Sequence, residues 1–184
     1  MQIKNYHSKY VQEVTQLIYH TIWTINSKGY TREQLSVWAK NFKNLEQWNQ
    51  SLKDHYALIA IKNERIVGFG DIDAKGCLDK LYTHKDYQKT GIATAICNQL
   101  EQSVSPKIIT THASITAQTL FEKRGYITIK RQSILRNNIR LFNFIMQKNL
   151  CGFHAKAWNY LRVFPAIINR KALSLMNPSA SLWL

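Results

Sequence analysis

The residues whose order carries chemistry begin at Gln88. Gln88-Lys89-Thr90-Gly91-Ile92-Ala93 follows a β-rich run ending at Thr83 and a polar turn, His84-Lys85-Asp86-Tyr87, and leads into a helical pattern. The first backbone N–H groups of a helix have no intrahelical acceptor, and the helix dipole adds positive potential there. Gly91 and Ala93 lack bulk, so an anion can approach the main chain, and Lys89 adds charge beside it. Together these features suit a diphosphate. The order is not that of a P-loop, which needs Lys and Ser/Thr directly after its last glycine, nor that of the three-glycine dinucleotide fingerprint. The competing role for Gly91 is simply to ease a strand-to-helix turn.

A carboxylate lies nearby. Asp79 sits within CLDKLYT (77–83), although aspartate is disfavoured inside strands. Strict alternation would place it on one face with Leu81 and Thr83. It is a candidate base, and a structural pairing near Lys80 is the alternative. His20, His84 and His112 lack metal-ligand spacing, so no metal is expected. Cys77 and Cys97 have no identifiable base partner and are poor nucleophile candidates.

The elements that must position these groups are legible in the pattern. Residues 1–6 alternate as a short strand, and Val11, Val14, Leu17, Ile18, Ile22 and Ile25 recur at helical spacing. Thr31 and Gln34 form a capping-box pair opening a second helix, and a short helix is expected around 45–52. YALIAIK (56–62) and RIVGFGDI (65–72) flank Asn63-Glu64 as a hairpin, and 77–83 is the next strand. A helix follows Gly91 until Ser105-Pro106 breaks it. A strand at 107–112, a helix at 116–124 stopped by Gly125, and strands at 126–132 and 139–147 around Asn137-Asn138 complete the series. The fold class is α/β (α+β), with helices around a mostly antiparallel sheet.

In this context LYTHKDYQKTGIATAICNQLE resembles the acetyl-CoA motif of the GNAT superfamily, Gln/Arg-x-x-Gly-x-Gly/Ala after the fourth strand. Gln88, Gly91 and Ala93 match it. ASITAQTLFEKRGY (113–126) is similar to the family's next block, a helix ending in a Gly-aromatic pair. With YTREQLSVWA (30–39), the blocks look like the YafP-type branch, and the similarity spans about residues 1–148. The resemblance implies a GNAT-type twisted sheet and an N-acetyltransferase that uses acetyl-CoA on a small-molecule amine. It also implies that main-chain groups of Leu81, Tyr82 and Thr83 pair with the pantetheine arm as an added strand. Leu81 or Tyr82 would donate to the thioester oxygen. The Gln88 to Ala93 turn, with Lys89, Thr90 and Ile92, would hold the diphosphate, and Ser114 stands where the family often has an Asn. Phe121 stands where many members carry a Tyr acid, which leaves the acid unassigned, with Tyr82 and Tyr126 as substitutes. Trp23, Tyr30 and Trp38 fall in the segment that builds the acceptor pocket. For this mechanism Asp79 is the candidate base.

Composition bounds these expectations. The 184 residues fit one domain, expected over 1–150, followed by a basic, aromatic extension at 151–184 that holds Trp158, Phe164 and Trp183 and no acid. Three widely spaced cysteines argue for reduced thiols. Nothing resembles a signal peptide, and no apolar run approaches the ~20 residues of a membrane span, so a cytoplasmic protein without membrane attachment is expected. The net charge of +14 is spread along the chain without a basic block, which argues against a nucleic-acid partner. A homodimer is compatible with the sequence. The alternatives are a CoA-binding module without turnover, motivated by Phe121, and a nucleic-acid-binding protein, motivated by charge.

Overall fold

The computed structural model describes residues 1–40, 42–105 and 107–150. The extension at 151–184 and Pro106 lie outside the described residues. A seven-stranded sheet runs in the order β1-β2-β3-β4-β5-β7-β6. Its strands are β1 (Gln2–Asn5), β2 (Tyr56–Lys62), β3 (Arg65–Ile72), β4 (Cys77–Thr83), β5 (Ile108–Ser114), β6 (Ile127–Arg136) and β7 (Ile139–Asn149). Every neighbouring pair is antiparallel except β4–β5. The helices are α1 (Val11–Thr24), α2 (Arg32–Trp38), α3 (Leu45–Lys53), α4 (Ile92–Ser103) and α5 (Gln118–Lys123).

Local chemistry explains most boundaries. Thr31 accepts from the Gln34 amide while the Gln34 side chain accepts from the Thr31 amide, closing the capping box that starts α2. Both hairpins turn on residue pairs with positive φ, Asn63-Glu64 and Asn137-Asn138, which matches the twist of the flanking strands. β5 and β6 run further than their apolar patterns alone suggest, to Ser114 and Arg136. Pairing with β7 along both edges supplies backbone partners there that side-chain patterning does not encode.

Two cores sit on opposite faces of the sheet. Ile59, Phe69 and Tyr82 pack beneath α1 and α2 with Leu17, Ile18, Ile22 and Leu35. Leu58, Val67, Leu78 and Ile109 pack against α4 through Ile92, Ile96 and Leu100. Helix α4 lies so close to β3 that a Cβ at Gly68 would come within 2.5 Å of Ile92 Cγ2. A bare residue there lets the first turn of the helix seat on the sheet. No helix among the described residues is long and apolar enough to cross a membrane.

Candidate active site

One irregularity in β4 sets the geometry. Pairing with β3 passes from Asp71↔Lys80 to Ile72↔Leu78, which leaves Asp79 as an extra residue, a β-bulge. A bulge breaks the alternation of side chains and bends the strand. Leu78 and Leu81 therefore both belong to the α4 face, while Tyr82 joins the face under α1 and α2. Asp79 does not share a face with Leu81 and Thr83, as alternation would have it. Its carboxylate instead meets the ammonium of its neighbour Lys80.

Beyond the bulge the sheet opens. β4 and β5 pair only at Cys77↔Thr110 and Leu78↔Thr111, after which the two strands part. Asp79, Leu81, Tyr82 and Thr83 line one side of the gap, and Thr111, His112, Ala113 and Ser114 line the other. The cavity, about 500 Å³, continues to Lys89, Gly91, Ile92, Ala93 and Thr94 and is bordered by Phe121 and Lys123. A buried acceptor without a partner, Thr83 Oγ1, lies at this wall.

At its far end the cavity meets the N-terminus of α4. Gly91 is the N-cap, with φ +85°, and no side chain caps the helix. The first intrahelical bond is Ala95 N–H to Gly91 O at 2.9 Å, so the amides of Gly91 to Thr94 have no helical acceptor. Lys89 also takes a positive φ, +61°, uncommon for a residue with a side chain. The turn is held by side chains that face inward. Gln88 Nε2 donates to the Thr83 carbonyl at 2.6 Å, and Thr90 Oγ1 donates to the Tyr87 carbonyl at 2.7 Å. The Gln88 side chain thus braces the turn against the end of β4, and the groups left without helical acceptors at the start of α4 are main-chain amides.

The remaining site residues divide clearly. Ser114 lines the cavity, with Oγ 3.1 Å from Thr116 Oγ1 and accepting from the Ala117 amide at 3.2 Å. Trp38 lines it as well, and its ring meets Tyr30 edge-on at 5.1 Å. The Tyr30 hydroxyl donates to the Phe142 carbonyl at 2.6 Å and accepts from the Ile115 amide at 3.0 Å, tying the segment before α2 to β7 and to the residue that follows β5. Tyr30 borders a small adjoining recess with Trp38, Phe142 and Asn143, where Asn143 Oδ1 is buried without a partner. Trp23 is not among the residues lining either space; its ring stands 6.2 Å from that of Tyr19. Tyr126 donates to Glu101 at 3.0 Å and is not among the residues lining the cavity. Burial raises the Tyr82 hydroxyl pKa above its ordinary value. The Cys77 and Cys97 thiols are pushed up to about 12 by burial, so neither is a thiolate nucleophile.

Behind Asp79 stands a cluster that sequence reasoning did not anticipate. Asp71, fully buried, accepts from the Lys80 amide at Oδ1 (2.7 Å) and from Lys80 Nζ at Oδ2 (3.2 Å), and His55 Nδ1 lies 3.1 Å from the same Oδ2. Donor atoms of His55, Asp71 and Asp79 fall within 4.8 Å of one another, the spread of a metal site. The Lys80 ammonium already bonds both carboxylates and supplies the compensating charge there. Burial raises the Asp79 pKa, partly opposed by Lys80. For Asp71, the charges of Lys80 and His55 outweigh burial and lower its pKa. His112, across the gap, is lowered by burial and so favours the neutral imidazole. The same signal that singled out Asp79, an aspartate inside a strand, was present at Asp71.

Comparison with known proteins agrees with this geometry. A family model described as an acetyltransferase (GNAT) domain matches residues 26–149. The uncharacterized N-acetyltransferase YafP of Escherichia coli (strain K12) is 29% identical over 147 residues, covering 80% of this chain and 95% of that protein. A GCN5-related N-acetyltransferase from Rhodopseudomonas palustris superposes with a TM-score of 0.78 at 26% identity, covering 81% of this chain and 95% of its own. The PaiA N-acetyltransferase of Thermoplasma acidophilum, solved in complex with coenzyme A, shares the fold with a TM-score of 0.66 at 16% identity, covering 81% and 99%. With the family model spanning most of the described chain and the open sheet in place, this protein belongs to the GNAT acetyltransferase family.

Proposed function

We propose that the chain transfers the acetyl group of acetyl-CoA to the amine of a small molecule, with Asp79 as the base and residues 1–150 as the working domain. The observation that carries this is one continuous cavity, from the uncapped start of α4 to the bulge at Asp79. Its two ends suit the two ends of the coenzyme. Free amides of Gly91 to Thr94, with Lys89 and Lys123 nearby, suit a diphosphate. The parted edge of β4 at Leu81, Tyr82 and Thr83 offers main-chain groups to the amide-bearing arm, as an added strand would use them.

Acetyl-CoA supplies an activated acyl group. An ammonium has no lone pair to attack it, so the chain must accept a proton from the acceptor. Asp79 is suited to this because burial raises its basicity while Lys80 keeps it within reach of the ionised form. An N–H from Leu81 or Tyr82 would stabilise negative charge gathering on the thioester oxygen. Phe121 carries no proton, and a thiol with an ordinary pKa near 8.5 departs at neutral pH without a protein acid. Trp38, with Tyr30 behind it, would present an aromatic wall to the acceptor.

The test is a panel of small amines with release of free thiol as readout, comparing wild type with Asp79→Asn. Loss of turnover by about 100-fold or more, with acetyl-CoA binding retained, is expected for the loss of a base. Turnover unchanged in the variant would remove Asp79 from the mechanism. Phe121 in place of a proton donor favours a second reading, a coenzyme-binding module. Tight binding with no thiol release from any amine would establish that one instead.

A further inference from the structure

The buried cluster behind Asp79 lies between two spaces, the main cavity and a second recess at the surface. His55 borders a separate surface recess with Asn5, Tyr6, His7 and Lys53, while Asp79 lines the main cavity. Between them Asp71 and Lys80 are closed to solvent: side-chain exposures run 23% at His55, 0% at Asp71, 4% at Lys80 and 10% at Asp79. The four side chains form an unbroken chain of ion pairs, His55–Asp71–Lys80–Asp79.

Counting charge shows what such a chain can do. Lys80 carries one positive charge and the two carboxylates carry two negative ones. The set is neutral when His55 is protonated and Asp79 ionised, and again when His55 is neutral and Asp79 protonated. Both other combinations leave a net charge in a poorly solvated interior, which is costly. The proton counts at His55 and Asp79 are therefore tied in opposite senses.

We infer that His55 is a positioning residue for acetyl transfer, its proton offsetting the one Asp79 takes, so that the chain gives up to the surface recess what it accepts from the amine. No heavy-atom bond is involved: the N–H bond of the amine breaks, an O–H bond forms on Asp79, and an N–H bond of His55 breaks to water. Lys80 keeps its proton throughout and transmits the effect as charge. The direction of the shifts agrees, with His55 raised chiefly by its bond to Asp71 and Asp79 raised by burial. Other titratable or charged groups near this chain are His7, Tyr6, Tyr56 and Lys53 at the surface recess, with Cys77, Tyr82 and His112 on the Asp79 side.

The inference rests on Asp79 as the base, and the experiment separates the two. His55→Asn keeps an N–H donor where Nδ1 stands and removes the ionisation. In the pH profile of kcat/KM, the acidic limb of this variant is expected to move up by about one pH unit, a tenfold loss below the limb, with the plateau retained. A limb that overlays wild type, in a variant with wild-type circular dichroism and melting, overturns the inference while leaving Asp79→Asn to judge the base. A readout without turnover runs in reverse: the His55 imidazole is titrated by NMR in wild type and in Asp79→Asn. Its pKa is expected to fall by about one unit when the Asp79 charge is removed. An unchanged His55 titration overturns the coupling even if either variant is inactive, or if His55→Asn does not fold.

Discussion

Gly91 allows the anion end of the site to be tested with its two physical contributions separated. It holds φ +85°, and a Cβ built on it meets nothing within 4 Å. A side chain placed there causes no clash inside the protein, so Gly91→Ala should cost only the left-handed backbone strain, about 1–2 kcal/mol. Gly91→Glu has the same strain and adds a carboxylate beside the amides of Ile92 to Thr94. If a diphosphate binds there, like charges stand roughly 5 Å apart. The repulsion between unit charges at that distance runs from about 0.8 kcal/mol in water to about 3 kcal/mol at an effective dielectric near 20. The Glu variant should therefore bind coenzyme A about 4- to 150-fold more weakly than the Ala variant.

Calorimetric titration of both variants with coenzyme A, and with pantetheine as a ligand lacking the diphosphate, reads this difference. Pantetheine should not distinguish Ala from Glu. Raising the salt should narrow the gap for coenzyme A, because screening acts within about 10 Å at 0.1 M. Affinities for coenzyme A within twofold of each other, or a gap equally large for pantetheine, would refute the assignment of a diphosphate to the start of α4.

Two further predictions concern the frame around the site. Glu101, on the last turns of α4, accepts from Arg124 at 2.9 Å, Tyr126 at 3.0 Å and Lys148 at 2.7 Å. Replacing it with Gln should cost about 3 kcal/mol in urea denaturation at pH 7 by leaving those cations uncompensated. The Lys148 and Arg124 partners hold its pKa below the ordinary value of 4.5, so its stabilisation is present above that value and lost as pH falls through the lower folded value. The advantage of wild type over Glu101→Gln should therefore shrink only in acid; a constant gap down to pH 3 would contradict this. Removing residues 151–184 should leave acetyl-CoA affinity within about twofold, because among the described residues the cavity already runs unbroken from the start of α4 to Asp79. A loss of tenfold or more by calorimetry would show that the extension completes the site.

Much of the frame was legible because it is coded locally. The hairpin at Asn63-Glu64 and the capping box at Thr31 each involve residues three or four positions apart, and the structure has both. The strands at 56–62, 65–72 and 77–83 lie where their β-branched and aromatic runs begin and end. The start of α4 was visible for the same reason, since Gly91 and the small residue after it mark a turn into a helix. What escaped was set by partners distant in sequence. Pairing with β7 lengthens β5 and β6. Tyr30 looked like an acceptor contact, and its hydroxyl is in fact bonded to main chain 85 and 112 positions away. Gln88 matched a coenzyme motif by type, while its side chain bonds the turn that presents the amides.

The bulge at Asp79 shows why a single unseen irregularity matters so much for function. Period two assigns every side chain of β4 to a face by counting from either end, and one inserted residue makes the two counts disagree. Counting back from Thr83 puts Asp79 with Leu81, on the α4 side. The bulge moves it to join Lys80, and through Lys80 to Asp71 and His55. It falls at the residue where β4 ceases to pair with β5, so the groove that would admit the pantetheine arm starts at the same position. The bulge and the start of the opening thus fall at one residue, Asp79, whose carboxyl is made more basic by burial. Strand alternation alone would have put the aspartate on the α4 face with Leu81, away from Lys80 and Asp71.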